Sequence, residues 1–89
     1  RIPVSYFYNE RIFNNFIVNI SQGGCFIATE KPLPVGEKFL MDIQLDGDAE
    51  SIWIKGEVTN ANRMGMGIEF EKVGSNFLGK LGNLLYKII

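Results

Sequence analysis

The sequence predicts a mainly β domain, a six-stranded antiparallel β-barrel with a C-terminal α-helix. Apolar and polar side chains alternate at period 2 through most of residues 3–71, as they do in half-buried strands. Short turn signals separate the alternating runs, and such short connections favour antiparallel neighbours in a closed barrel without exposed edges. After Gly74 the apolar spacing becomes helical, which predicts a helix over about residues 75–89.

Six alternating runs and the turns between them define the predicted barrel. The runs lie at residues 4–9, 15–20, 25–29, 38–45, 51–59 and 65–71. Turn-forming residues separate them at 9–11, 22–24, 32–36, 46–48 and 60–63. In the second run, alternation predicts that Val18 and Ile20 face the core. In the fifth, Gly56 leaves a gap that indicates a bulge or bend, and Trp53 takes the outer face, as a stacking platform or as a surface aromatic that covers a neighbour.

The predicted helix is amphipathic and needs a surface to pack against. Its apolar stripe consists of Phe77, Leu81, Leu84 and Ile88, flanked by Leu78 and Leu85. Ser75 is its candidate N-cap, and Gly79 and Gly82 inside it cost about 1 kcal/mol each relative to Ala. We therefore expect the stripe to cover one end of the barrel and the last turn to offer a dimer or partner contact.

The composition describes one domain, residues 1–89, without catalytic or metal chemistry. The chain has 89 residues, a net charge of −1, no His and a single cysteine, Cys25. His-based triads and thiolate metal clusters are therefore excluded, and we expect no enzyme, metal or cofactor. The near-neutral charge argues against a nucleic-acid polymer, and no apolar run approaches the ~20 residues of a membrane span. The lone thiol favours the cytoplasm, and Arg1 in place of a start Met indicates a piece of a longer chain.

A polar pair at the end of the second run is the candidate binding site. Asn19 and Ser21 are two residues apart on a strand, so their side chains leave the same, outer face. Gly23 and Gly24 follow, and glycines permit positive φ and a close approach of a ligand to the main chain. Amide, hydroxyl and open backbone together suit a planar polar ligand such as a purine base. The other interpretation is a solvated strand end that runs into a glycine turn.

These residues resemble a known signature. Asn19, Ser21 and Gly24 match the Asn/Asp-x-Ser-x-x-Gly motif of PilZ domains, and the resemblance continues in order through nearly all of residues 1–71. The further matching segments are 1–4, 23–29, 31–36, 56–58 and 65–70. The strand pattern alone also fits an SH3-like or OB-type barrel, but the ordered set favours the PilZ domain. That family implies a six-stranded antiparallel barrel with a C-terminal helix.

The resemblance implies binding of cyclic di-GMP and no catalysis. In the family an Arg-x-x-x-Arg loop before the first strand clamps phosphate and guanine. Arg1 matches its second arginine, and the first would precede this chain by four residues. The implied ligand site is Arg1, Asn19, Ser21, Gly23 and Gly24, with binding passed to an attached domain or partner protein. The alternative is a PilZ adaptor that does not bind the nucleotide and acts through protein contacts.

Overall fold

The computed structural model describes residues 1–44 and 51–71, and they form a closed barrel of six antiparallel strands. The strands are β1 (Ile2–Tyr8), β2 (Arg11–Ile20), β3 (Gly24–Ala28), β4 (Lys38–Gln44), β5 (Ser51–Asn62) and β6 (Gly65–Phe70). Around the barrel the order is β1-β2-β3-β6-β5-β4, which confirms the predicted barrel. The predicted helix, Leu45 and the turn at 46–48 lie outside the described residues. In the described ranges no helix is long and apolar enough to cross a bilayer.

Alternate strand positions fill the barrel with apolar side chains. The buried core residues are Ile2, Val4, Tyr6, Ile17, Ile27, Leu33, Phe39, Met41, Ile43, Ile52, Ile54, Val58, Met66, Ile68 and Phe70. Burial of each large aliphatic side chain stabilises the fold by about 1.5–3 kcal/mol. The Tyr6 ring stacks on Phe13, with centroids 5.2 Å apart and an interplanar angle of 15°. Its hydroxyl lies 2.9 Å from the Asn15 amide, whose oxygen accepts from it.

The predicted inward face of β2 is wrong for its middle residues. Ile17 is 1% exposed, whereas Phe16 and Val18 are 44% and 51% exposed. The pairing of β2 with β3 shifts between Ile17 and Asn19, so Val18 is the extra residue of a β-bulge. A bulge reverses the phase of the alternation. Ile20, beyond it, packs against the core as predicted.

A second bulge lies in β5, at a different place from the predicted one. Gly56 pairs in regular register with Phe39, and the register of β5 against β6 shifts between Val58 and Asn60. A Cβ on Gly56 would lie 2.4 Å from Ile68 Cγ2, so neighbouring side chains fill the gap that the sequence suggested. The strand runs on to Asn62, which shortens the predicted turn at 60–63.

The β1–β2 hairpin turns through two residues in the left-handed region. Asn9 has a φ of 51° and Glu10 a φ of 63°, while Tyr8 and Arg11 form the last pair of the ladder. Positive φ at both loop residues is typical of a type I′ hairpin turn, which matches the twist of the strands. Asn tolerates this conformation, but glutamate is strained in it.

We predict that Glu10→Gly raises the free energy of unfolding by about 0.5–1 kcal/mol. Relief of the left-handed strain is worth about 1–2 kcal/mol, and the greater freedom of glycine in the unfolded chain offsets about half of that. Urea denaturation measures the change. Glu10→Ala is the matched control, because it removes the same side chain but keeps the Cβ. An equal gain in both variants would assign the effect to the side chain and not to the backbone.

Candidate ligand-binding groove

An open groove of about 440 Å³ lies on the outer face of the barrel, across β2, β3, β6 and β5. Four of the five residues predicted from the sequence line it: Asn19, Ser21, Gly23 and Gly24. Asn19 and Ser21 are both exposed, so the outward direction predicted for them is confirmed. The structure thus collects the second run and the glycine turn into one surface.

A row of cross-strand partners forms the middle of the groove. Asn19 pairs with Phe26, Phe26 with Gly67, and Gly67 with Asn60. Three strand spacings separate the ends of this row, which is about 14 Å measured along the curved sheet. Each asparagine directly follows the shifted residue of a bulge. The row therefore carries an amide at each end, with an aromatic ring and a glycine between them.

Ser21 closes the β2–β3 hairpin with its backbone. Its N–H donates to the Gly24 carbonyl at 2.9 Å, and its hydroxyl makes a longer contact of 3.4 Å to the same oxygen. A hydroxyl has one donor and two acceptor positions. Most of the hydrogen-bonding capacity of this exposed side chain therefore faces the groove.

The two turn glycines have different roles, and neither has the positive φ that the sequence suggested. Gly24 is buried, and a Cβ there would lie 2.0 Å from the Ile68 carbonyl oxygen. Its small size allows β3 and β6 to approach. Gly23 is exposed with no atom within 4 Å of a Cβ position, while its carbonyl accepts from Phe70 N–H at 2.8 Å. Only Gly23 leaves open space for a ligand.

The far wall of the groove was missed by the sequence reasoning. Gly67 N–H donates to Asn60 Oδ1 at 3.1 Å, and Thr59 Oγ1 donates to the Gly67 carbonyl at 3.3 Å. A Cβ on Gly67 would lie only 2.6 Å from Asn60 Oδ1, so the amide rests on the glycine backbone. The glycine in an alternating strand was the available signal, but the β5 bulge decides that Asn60 lies over it.

The groove is polar but holds no cation among the described residues that line it. Its single charged lining residue in that part of the chain is Glu69. Arg1, the fifth predicted residue, does not line the groove. Its guanidinium carbon lies 5.7 Å from the centroid of the Phe16 ring. Arg1 directly precedes Ile2, which pairs with Ile17, so it lies on the β1 side of β2.

Cys25 lines the groove, whereas Trp53 and Arg63 lie away from it. Cys25 is half-buried at the groove, and burial raises the pKa of its thiol to about 12. Trp53 is 63% exposed on the outer face of β5, as predicted, but it pairs with Asp42 away from the groove. Arg63 is exposed in the β5–β6 turn and does not line the groove.

The fold and the groove define a small β-barrel binding domain. Within residues 1–44 and 51–71, no three His, Cys, Asp or Glu side chains are grouped to hold a metal ion. A sequence model of the PilZ domain matches residues 1–87, and the chain belongs to the PilZ domain family. PilZ domains are binding and adaptor domains, known for binding cyclic di-GMP and for interacting with other proteins. A comparison with curated proteins gives no match.

The two glycines predict opposite outcomes on substitution. Gly24→Ala should lower the free energy of unfolding by about 1–3 kcal/mol, because its Cβ overlaps the Ile68 carbonyl. Gly23→Ala, the matched control in open space, should change it by less than about 0.5 kcal/mol. Thermal and urea unfolding of both variants compare the two. Equal destabilisation would mean that the β3–β6 contact does not depend on Gly24.

The raised pKa of Cys25 predicts slow alkylation. A thiol with a pKa of about 12 is about 1000-fold less ionised at pH 8 than one at the ordinary value of 9.0. The more basic thiolate is intrinsically more nucleophilic, which offsets part of this difference, so iodoacetamide should modify the folded protein at least 10-fold more slowly than the same protein in urea. Mass spectrometry of timed samples gives both rates. Comparable rates would show that the folded thiol is not shielded.

Proposed function

We propose that this domain is a cyclic di-GMP receptor that passes ligand binding to an attached domain or partner protein, without turnover of the nucleotide. The observation that carries the proposal is that Asn19, Ser21 and Gly23 line one open groove in a PilZ fold. Purine recognition in such a groove needs donors, acceptors and an accessible backbone, and these residues supply all three.

The charges of the groove suit a guanine base better than a phosphate. The described lining offers amides, hydroxyls and the Glu69 carboxylate, and a carboxylate repels phosphate oxygens. Arg1 supplies a cation on the other side of β2. We therefore expect the base to occupy the groove and the phosphates to lie toward Arg1. Guanidinium contacts to phosphate are charge-assisted and are worth about 1.5–3 kcal/mol each.

Signalling would follow if ligand binding changes how an attached domain or partner protein docks. A ligand that contacts both the groove and the N-terminal arginine segment holds that segment against the barrel. This contact favours one arrangement of whatever is attached there, which is a shift of population by differential affinity. A signalling role of this kind and a lone reduced thiol fit a cytoplasmic protein.

A second candidate function, an adaptor that contacts another protein, is favoured by a row of apolar side chains on the outer wall. Ile12 pairs with Phe7 across β1–β2, and Phe7 pairs with Leu40 across β1–β4. These side chains are 70%, 56% and 41% exposed, respectively. In the strand order β1 and β4 lie across the barrel from β6 and β3, so this row faces away from the groove. A partner bound there would leave the groove open.

The receptor proposal predicts a ranking of two variants. If the intact protein carries an arginine four residues before Arg1, Arg1→Ala should weaken cyclic di-GMP binding by at least 10-fold. Ser21→Ala should weaken it by about 5-fold, since a neutral hydrogen bond contributes about 1 kcal/mol net. Added salt should weaken binding, because the ligand is dianionic. Titration calorimetry measures all three effects.

Both variants should keep the barrel folded, because Arg1 and Ser21 are exposed. Circular dichroism melts serve as the control for folding. If the intact protein carries both arginines and gives no heat with ligand well above micromolar, the receptor proposal is wrong and the adaptor replaces it. The reverse ranking, with Ser21→Ala the weaker binder, would contradict the role given to Arg1.

A further inference from the structure

We propose that Asn60, on the far wall of the groove, selects guanine over adenine by presenting only amide hydrogens to the ligand. The inference rests on the proposed function, because it concerns the base of the ligand bound there. It adds a contact on β5 to those predicted on β2 and in the glycine turn. Gly67 acts as the positioning residue that holds the Asn60 amide in place.

The position of Asn60 follows from the β5 bulge. The register shift between Val58 and Asn60 turns Asn60 to the outer face, where it pairs with Gly67 and lines the groove. Because Gly67 has no side chain, the Asn60 amide can lie directly over it. A Cβ on Gly67 would lie 2.6 Å from Asn60 Oδ1 and 3.0 Å from Asn60 Nδ2. The amide therefore lies against the β6 backbone, at the opposite end of the row from Asn19.

The orientation of the amide is fixed by one hydrogen bond. Gly67 N–H donates to Asn60 Oδ1 at 3.1 Å, so a rotated amide would place two donors against each other. Among residues 1–44 and 51–71, no hydrogen bond uses Asn60 Nδ2. The oxygen is held by the barrel, and the two amide hydrogens remain for a ligand.

Unpaired donors at this position distinguish the two purines. One edge of guanine carries the acceptors O6 and N7 side by side, whereas the same edge of adenine has a donor amino group beside N7. Asn60 Nδ2 matches the guanine edge and opposes the adenine amino group. A site that presents a fixed donor rejects the mismatched base, because two donors are then left facing each other.

Glu69 adds an independent reason for guanine. It lies two residues beyond Gly67 on β6, is exposed, and lines the same groove. Its carboxylate only accepts hydrogen bonds. Guanine has donors at N1 and N2, whereas adenine has an acceptor at N1, which a carboxylate repels. The amide donor of Asn60 and the carboxylate acceptor of Glu69 are therefore both complementary to guanine.

The deciding variant is Asn60→Asp, which has nearly the same shape and keeps an oxygen for Gly67 N–H but presents an acceptor outward. Calorimetry on the intact protein with cyclic di-GMP and cyclic di-AMP gives the ratio of the two affinities. Both ligands are dianions, so the added negative charge weakens both and cancels in the ratio. Asn14→Asp, an exposed change of the same charge on β2, is the matched control.

We expect the preference for cyclic di-GMP to fall by at least 10-fold in Asn60→Asp and by about 5-fold in Asn60→Ala, with no change in Asn14→Asp. Gly67→Ala displaces the Asn60 amide, so it should lower the preference for cyclic di-GMP by about as much as Asn60→Ala does. Asn60→Ala decides the question alone if the Asp variant does not fold. If the wild type binds but the preference is unchanged in the Asn60 variants, this inference is wrong and the receptor proposal stands. A wild type that binds neither nucleotide overturns both.

Discussion

The close approach of β3 and β6 is the constraint on which the rest of the structure depends. At one end of their ladder a Cβ on Gly24 would lie 2.0 Å from the Ile68 carbonyl oxygen, and at the other a Cβ on Gly65 would lie 2.0 Å from that of Ile27. Any larger residue at either end would push the two backbones apart. Because β3 and β6 are far apart in sequence, this contact closes the barrel and joins the two halves of the groove.

Two bulges shape the candidate binding surface on the outside of this closed barrel. In a regular strand the residue two positions after a buried one also faces the core. Because Ile17 and Val58 are buried, regular strands would turn Asn19 and Asn60 toward the core. The extra residues Val18 and Thr59 shift the phase of the alternation, so Asn19 and Asn60 emerge on the outer face at the two ends of one row. A bulge leaves one residue unpaired in the ladder. As a result, the amides of Asn19 and Asn60 lie in one surface, and neither side chain is buried.

Polar, cationic and apolar side chains lie on different parts of the barrel surface. Among the described residues the groove carries amides, hydroxyls and one carboxylate, the cation of Arg1 lies beyond β2, and the exposed Phe7 belongs to the apolar row that faces away from the groove. A nucleotide with a neutral base and anionic phosphates matches the first two regions, and a protein matches the third. The proposed receptor and adaptor functions would therefore use different faces of the fold.

The sequence by itself determined the six strands and the turn at residues 9–11, because period-2 alternation and turn chemistry are local properties. It also predicted the outward direction of Asn19 and Ser21, but for Asn19 the β2 bulge, and not regular alternation, sets that direction. It also pointed to PilZ membership through motifs in their order along the chain. It could not determine the phase of β2 at Val18, the role of Gly24 in β3–β6 contact, or the place of Asn60. Bulges and close backbone contacts depend on the register between strands that are distant in the chain, and only the closed barrel sets that register.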